Sequence, residues 1–225
     1  MIAVTFALPS ESAAFLALLQ QPTCGAHSIC GTLDGQRVCV LHTGVGEKTT
    51  RLRLPDFLRA QSPRLLLSAG FAGALHDRWQ VGDLFVAENY TTAQIALPEL
   101  APSHSGRLVT AASVIDSSAE RAELRRTGAA DAVDMETAFI AEICAAMRIP
   151  MVSLRAITDT PSHPFPAPPE VLFDLTRQRT VILPLCGYLL LHPSAIMRLL
   201  FFARRVATTR RTLAHALAAI IREAV

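Results

Sequence analysis

The strongest constraint on the fold is the alternation of two kinds of segment over the first 160 residues. Short apolar, strand-like runs cover residues 2–8, 38–42, 64–69, 81–90 and 151–157. Segments with helical spacing lie between them, at residues 11–19, 48–60, 119–126 and 137–147. Strands that are apolar on both faces and alternate with helices are typical of a mostly parallel sheet covered on both sides. The sequence therefore predicts an α/β fold, in which a single three-layer domain holds a mixed, largely parallel sheet flanked by helices. Pro55 is expected to lie in the first turn of its helix or to kink it.

The organisation of the chain changes after this alternating part. Residues 161–169 hold five prolines, which predicts an extended loop, a lid or crossover beside the site. Residues 170–225 follow as an apolar, arginine-rich helical extension. Hydrophobic residues make up 51% of the 225 positions and charged residues 18%, which excludes a disordered chain. We expect one domain, with residues 1–160 as its core.

Charge is distributed unevenly. The formal net charge of +2 argues against a nucleic-acid-binding protein. Residues 176–225, however, carry eight arginines and one acid, a net +7, whereas residues 1–175 carry 13 basic and 18 acidic groups, a net −5. The body is mildly acidic and the C-terminal segment is strongly basic.

The cysteines and the N-terminal residues bear on the compartment. Cysteines 24, 30, 39, 144 and 186 form no C-x-x-C pair and have no zinc-like spacing with histidine. Free, mostly buried thiols in a reducing cytosol are expected, and no metal site. No basic signal sequence and no transmembrane stretch are recognisable, so a cytoplasmic location is predicted.

Small and polar residues cluster where strands end, at residues 43–46, 68–73 and 158–160. Ligands of open α/β sheets bind outside the carboxyl ends of the strands. Taken singly, these residues also have structural explanations: the glycines serve turns, and Glu11, Asp134, Glu136 and Asp159 serve helix ends or turns. There is neither a G-x-G-x-x-G nor a Walker A motif, so dinucleotide and nucleoside-triphosphate binding are not predicted.

Taken together and in order, the motifs resemble those of the nucleoside phosphorylase superfamily. This superfamily includes purine nucleoside phosphorylases and methylthioadenosine/adenosylhomocysteine nucleosidases. Residues 68–75 with Val81-Gly82-Asp83 resemble its glycine-rich strand-end loop and following "VGD" strand. Residues 133–136 (VDME) resemble its "VEME" ribose motif, and residues 155–159 (RAITD) its "RAISD" catalytic segment.

The resemblance implies cleavage of an N-glycosidic bond. Such an enzyme stabilises positive charge on the ribose and neutralises the departing purine. Asp159 matches the general acid near the purine N7, Glu136 the carboxylate that binds the ribose hydroxyls, and Glu11 the base that activates water. The residues expected to bind substrate are Gly44, Gly70, Phe71, Ala72, Gly73, Val114, Asp134, Met135, Glu136 and Thr158. No metal or organic cofactor is implied.

Hydrolysis is favoured over phosphorolysis, in which phosphate would be a co-substrate. No arginine follows the first strand closely, which weakens the usual phosphate site. Lys48, Arg51 and Arg53, just after the 43–46 loop, remain candidate phosphate-binding residues.

The C-terminal segment narrows the resemblance. Residues 182–205, together with residues 131–137, resemble the hopanoid-associated branch of the superfamily, which carries a "VDME" motif and Leu/Arg-rich ends. The implied activity is removal of adenine from adenosylhopane. The basic, apolar segment would cover the triterpene and contact an anionic membrane; alternatively, it packs on the sheet with its arginines solvated. A homodimer or higher homo-oligomer is expected by family analogy, with the 137–147 helix as a candidate interface.

Three rival hypotheses remain open. The first is an ordinary methylthioadenosine/adenosylhomocysteine nucleosidase or a purine nucleoside phosphorylase. The second is a non-catalytic nucleoside-binding protein on the same fold. The third is a membrane-peripheral interaction module that depends on the basic segment.

Overall fold

The computed structural model describes residues 1–93, 102–167, 173–174, 179–180, 191–192 and 194–224. The strands are β1 Ile2–Phe6, β2 Gln20–Cys24, β3 Ser28–Leu33, β4 Gln36–His42, β5 Leu65–Ala74, β6 Leu84–Ala87, β7 Ser103–Gly106, β8 Leu108–Thr110, β9 Ala132–Asp134, β10 Met151–Asp159, β11 Phe173–Asp174 and β12 Arg179–Thr180. The helices are α1 Pro9–Leu16, α2 Glu47–Gln61, α3 Ser118–Gly128, α4 Thr137–Ala146 and α5 Ser194–Glu223.

The main sheet is mixed and has the strand order β2-β3-β4-β1-β5-β10-β6-β7. Its central strands β4, β1, β5 and β10 run parallel to one another, so their carboxyl ends meet at one edge. β9 pairs antiparallel with the end of β5 and parallel with β8, which brings a further strand end to the same region. β11 and β12 form a separate pair.

Helices cover both faces of the sheet. The β1 side chains alternate between the two faces and pack against the helices on each. Ile2, Val4 and Phe6 pack in one core with Phe15 of α1 and with the second half of α5. Ala3 faces the other core, which α2 and α4 complete. The predicted three-layer α/β fold with a helical C-terminal extension is confirmed. Of the 161–225 segment, residues 168–172, 175–178, 181–190, 193 and 225 lie outside the described residues.

Pro55 does not interrupt α2. The helix runs from Glu47 to Gln61 with Pro55 in its interior, so Pro55 does not lie in the first turn, and the alternative expectation, a kink at Pro55, stays a prediction. This helix buries three side chains against the sheet, those of Leu54, Phe57 and Leu58. Tertiary burial of this apolar face offsets the missing backbone donor of the proline.

The glycine-rich segment is also more regular than predicted. β5 does not end at Gly70 but continues to Ala74, because its last residues pair with β10 on one side and β9 on the other. The segment is therefore a strand, not a loop at a strand end.

Two of the cysteines are not free. Cys30 of β3 lies directly opposite Cys39 of β4 in the antiparallel pair, and the two form a disulfide. The prediction of free thiols is wrong for this pair, since the register of a hairpin was not readable from the cysteine spacing. Cys24 is a free, exposed thiol and Cys144 a free, buried one. Cys186 lies outside the described residues.

In the part of the chain that the structure describes, no helix has the length and apolar character needed to cross a membrane.

Candidate active site

A cavity of about 360 Å³ lies at the carboxyl ends of the central strands. Three of its carboxylates come from different elements: Glu11 from the first turn of α1, Glu136 from the β9–α4 junction and Asp159 from the end of β10. Most of the predicted substrate-binding residues also line it, namely Phe71, Ala72, Gly73, Val114, Asp134, Met135 and Thr158. Segments that are distant in sequence are thus brought to one cavity, as expected for this edge of an α/β sheet.

Glu11 is held by the backbone at the start of its own helix. Its Oε2 accepts hydrogen bonds from the N–H groups of Ala7 at 3.0 Å and Leu8 at 3.1 Å. Burial raises the pKa of the Glu11 carboxyl, although these N–H donors and the nearby Arg155 guanidinium act in the opposite direction. A carboxylate with a raised pKa is a stronger base, which suits it to accept a proton from water.

Glu136 is fixed by the loop after β4. Its Oε1 accepts a hydrogen bond from the Gly46 N–H at 2.8 Å. Gly46 has a φ of +82°, a conformation that favours glycine, and this directs its N–H toward the carboxylate. Burial, followed by the carboxylates of Asp134 and Glu11, raises the pKa of Glu136 to about 8. This carboxyl group therefore holds its proton more tightly than an exposed glutamate does.

Asp134 lines the cavity but is already engaged by the protein. It accepts hydrogen bonds from the Thr110 hydroxyl at 2.8 Å and from the Thr137 backbone N–H at 3.1 Å. Its Oδ2 also lies 3.1 Å from a guanidinium nitrogen of Arg155. Asp134 therefore anchors the start of α4, and this positions the neighbouring Glu136.

Arg155, the first residue of the 155–159 motif, had no predicted role, and it is the central buried cation of this cluster. Its guanidinium donates to Ser68 Oγ at 2.8 Å and to Thr137 Oγ1 at 2.5 Å, in addition to its pairing with Asp134. Its positive charge also opposes the rise that burial causes in the pKa values of Glu11 and Glu136. The signal for this role was available, since an arginine inside an apolar buried strand must find a partner.

Asp159 forms an ion pair that the sequence analysis missed. Arg121 of α3 is buried and donates through Nη2 to Asp159 Oδ2. The same guanidinium donates to the carbonyls of Ala74 at 2.8 Å and Ile115 at 3.0 Å, which fixes its position. Burial raises the pKa of Asp159, and Arg121 opposes that rise. Nothing in the charged sequence around Arg121 distinguishes it from solvated arginines nearby.

Gly73 and Thr158 shape the surroundings of Asp159. A Cβ at position 73 would lie 2.7 Å from Asp159 Oδ2 and 3.2 Å from a guanidinium nitrogen of Arg121. Only glycine leaves room for this ion pair against β5. The Thr158 hydroxyl donates to Asp159 Oδ1 at 2.8 Å, so both carboxylate oxygens have a partner.

An apolar wall completes the cavity, and sequence reasoning did not assign its residues to the site. Phe165 comes from the proline-rich segment, whereas Phe202 and Val206 come from α5. The rings of Phe165 and Phe202 are in contact, with centroids 5.7 Å apart. The prediction that the 161–169 segment lies beside the site agrees with the place of Phe165.

The remaining predicted residues lie elsewhere. Arg51 is bound by two carboxylates, Glu47 at 2.7 Å and Glu142 at 2.6 Å, and Arg53 donates to the His42 carbonyl at 3.1 Å. Neither of them, nor Lys48, is in the cavity lining, so the structure does not place these cations as a phosphate site. Gly44 and Gly70 are also outside this lining, although Gly70 lies beside Glu11 and Arg155. Among the described residues, no group of three or more His, Cys, Asp or Glu is arranged to hold a metal ion.

Comparison with known proteins identifies the family. The family model described as "Phosphorylase superfamily" matches residues 1–102 and 91–181. A 5′-methylthioadenosine/S-adenosylhomocysteine nucleosidase of Baumannia cicadellinicola is 30% identical over 185 residues, which are 68% of this chain and 80% of the relative. The chain belongs to the phosphorylase superfamily. The superfamily resemblance read from the motifs is thereby confirmed.

Solved structures of a nucleosidase and of a hydrolase share this fold. A nucleosidase of the same name from Campylobacter jejuni gives a TM-score of 0.72 at 19% identity, covering 100% of this chain and 99% of that one. Native futalosine hydrolase of Helicobacter pylori gives 0.69 at 17% identity, covering 99% and 97%. At these identities, the likeness concerns the fold.

Proposed function

We propose that this phosphorylase-superfamily enzyme hydrolyses the N-glycosidic bond of an adenine nucleoside that carries a lipophilic 5′ substituent of the adenosylhopane type. It would release adenine as a step of hopanoid lipid biosynthesis. The observation that carries the proposal is one cavity that combines Glu11, Glu136 and Asp159 with an apolar wall from the C-terminal third. The 30% identical nucleosidase relative supports the reaction class, N-glycosidic bond cleavage.

The positions of the strands suit a nucleoside lying across the cavity. β1 leads to Glu11 and β10 carries Asp159, with β5 between the two strands. Adjacent strands lie about 4.8 Å apart, so the β1 and β10 axes are about 10 Å apart. This separation leaves room for a water on the Glu11 side of the sugar and a purine on the Asp159 side.

The protein's own groups divide the chemistry as follows. Glu11 accepts the proton of the attacking water, since its raised pKa makes it a better base. Glu136 binds the ribose hydroxyls, and in its ionised form it stabilises the positive charge that develops on the sugar. Asp159 donates a hydrogen bond or a proton at the purine N7 as the bond to the sugar breaks. Burial favours the protonated form of Asp159, which this step requires.

The apolar wall supports the proposal of a lipophilic 5′ substituent on the substrate. Phe165, Phe202 and Val206 offer no charged or hydrogen-bonding side-chain group to a 5′ substituent. Hydrolysis is preferred to phosphorolysis because Lys48, Arg51 and Arg53 are not in the lining.

A second candidate is an ordinary 5′-methylthioadenosine/S-adenosylhomocysteine nucleosidase. The 30% identical relative of that name supports it, and the same carboxylates would perform the same chemistry on a smaller substrate.

Adenine release tests the proposal directly. The substrates are 5′-methylthioadenosine and an adenosine with a long alkyl group at the 5′ position, each with and without inorganic phosphate. We expect adenine and free sugar from the alkyl substrate without phosphate. Asp159→Asn should lose about 10²–10⁴-fold in kcat, whereas Asp56→Asn, at an exposed helix position, should keep full activity.

The other outcomes identify the rivals. Turnover of methylthioadenosine alone would favour the ordinary nucleosidase. A rate that requires phosphate, with a sugar phosphate as product, would show a phosphorylase. Tight binding without turnover of either substrate would show a nucleoside-binding protein.

A further inference from the structure

The first half of α5 leaves four large apolar side chains in solvent. Ile196, Met197, Leu200 and Phe201 are 43–56% exposed, and Leu191, just before the helix, is 79% exposed. Elsewhere in the described chain, Leu52 of α2 is the one large hydrophobic residue with comparable exposure. A concentration of this kind marks a binding surface, whereas a single exposed leucine does not.

The spacing places these residues on one side of the helix. Positions 196, 197, 200 and 201 follow the i, i+1, i+4, i+5 pattern, and successive residues are rotated by about 100°. Phe202 and Val206 point to the opposite side and line the catalytic cavity. The same two turns thus carry an inner apolar face on the cavity and an outer apolar face in solvent.

Arginines accompany the outer face. Arg204 continues the stripe one turn further along the helix, and Arg198 and Arg205 flank it; all three are exposed. None has an acidic partner in the part of the chain that the structure describes. From residue 194 to residue 222, α5 contains no acidic residue.

We propose that this outer face of α5 (Ile196, Met197, Leu200, Phe201, with Arg198, Arg204 and Arg205) binds the surface of an anionic lipid bilayer. Apolar side chains that enter the acyl boundary, beside cations that meet acidic headgroups, are the features of an interfacial helix. A second copy of this chain fits less well, because a symmetric contact through this face would bring arginine against arginine. The positive charge of these arginines therefore favours an anionic bilayer over a second copy of the chain as the partner of this apolar face.

The inference deepens the proposed function and rests on it for its biological purpose. A lipophilic nucleoside resides in a bilayer. Docking through α5 would place the helix that lines the cavity at the surface of that bilayer. Binding to lipid is nevertheless measured without substrate, so its result is independent of turnover.

Cosedimentation of the full chain with vesicles tests the proposal. The probes are vesicles of phosphatidylcholine alone and vesicles that also contain phosphatidylglycerol. We expect binding to the anionic vesicles that is at least about tenfold stronger and that weakens at about 0.5 M salt, where screening is short-ranged. Met197→Ser with Phe201→Ser, and separately Arg204→Gln with Arg205→Gln, should each reduce that binding about tenfold or more.

Matched controls separate this face from general surface effects. Leu52→Ser removes an exposed leucine that is 71% accessible, and Arg64→Gln removes an exposed arginine; both should bind vesicles like the wild type. Asp159→Asn should also bind normally, because the cavity chemistry is not involved. All substituted face residues are exposed, so the variants should retain the wild-type Tm.

Three results would overturn the proposal. The first is equal binding to both kinds of vesicle, and the second is unchanged binding of the two double variants. The third is a concentration-dependent dimer that Met197→Ser with Phe201→Ser abolishes while vesicle binding is absent, which would assign the face to a second copy. If vesicle binding holds but neither nucleoside releases adenine, the proposed function fails and the docking surface stands.

Discussion

At the scale of single residues, the candidate site is a set of buried and half-buried carboxylates held by two buried arginines. Arg155 pairs with Asp134 and moderates Glu11 and Glu136, while Arg121 pairs with Asp159. The acids could be predicted, because their motifs are local in sequence. The partner of Asp159 could not, because Arg121 lies 38 positions away on a helix rich in similar arginines.

Arg121 opposes the rise that burial causes in the pKa of Asp159, and this effect can be separated from a purely structural role. Arg121→Met removes the cation, so the pKa of Asp159 should rise further and the alkaline limb of the kcat/KM–pH profile should move up by about 1–3 pH units. Arg121→Lys keeps a positive charge and should leave the limb near its wild-type position. Identical limbs in both variants would contradict this assignment.

Glu136 should lower the stability of the fold at alkaline pH. Its pKa in the folded protein is about 8, above the ordinary value of 4.5, so the folded state holds this proton more tightly than the unfolded state. Below about pH 4.5 both states are protonated; as pH rises to about 8 the unfolded state gains stability relative to the folded one.

Glu136→Gln tests this, because the amide oxygen still accepts the Gly46 N–H. Chemical denaturation should show the variant more stable than wild type by an amount on the order of a few kcal/mol at pH 9, with the gain disappearing near pH 4. A difference that does not vary with pH would show that the carboxyl is not buried as described. Thr127→Ser, at an exposed position, provides the baseline.

At the scale of elements, the periodic segments were predictable and those governed by pairing were not. β1, β4, α4 and β10 were expected close to where they occur. β2 and β3 were missed because their residues are mostly exposed or half-buried, without an apolar run to reveal them. β5 extends past its glycines because β9 and β10 supply hydrogen-bonding partners, and this information is not local to the segment.

Pro55 provides a prediction at this scale. Pro55→Ala restores a backbone donor inside α2 and removes the steric conflict of the ring, so the free energy of unfolding should increase by about 1–3 kcal/mol. Urea denaturation measures it, with Asp56→Ala at the next, exposed position expected to stay within about 0.5 kcal/mol of wild type. A loss of stability in Pro55→Ala would mean that α2 is adapted to the proline.

At the scale of the whole molecule, the C-terminal helix α5 contributes both to the core of the domain and to the wall of the cavity. Its second half lies in the same core as β1 and α1, through Leu213, Leu217 and Ile220. Its first half has the cavity on one side and solvent on the other. The basic, apolar end is therefore an integral layer of the domain as well as an exposed surface.

Leu217→Ala tests this integration. The side chain is fully buried, so its truncation should destabilise the whole domain by about 2–5 kcal/mol. Far-ultraviolet circular dichroism and Trp79 fluorescence should lose their signals together in one transition, because Trp79 lies in a different cluster of the same domain. Leu52→Ala should change little. Separate transitions would show that α5 unfolds independently.

The shared wall formed by Phe165, Phe202 and Val206 has a consequence for how such an enzyme diversifies. Every ionisable group assigned to bond cleavage comes from residues 1–160, whereas this wall comes from later in the chain. Substitutions in the last third of the chain can therefore change which substrates enter the cavity. The catalytic groups in the first two thirds would remain unchanged.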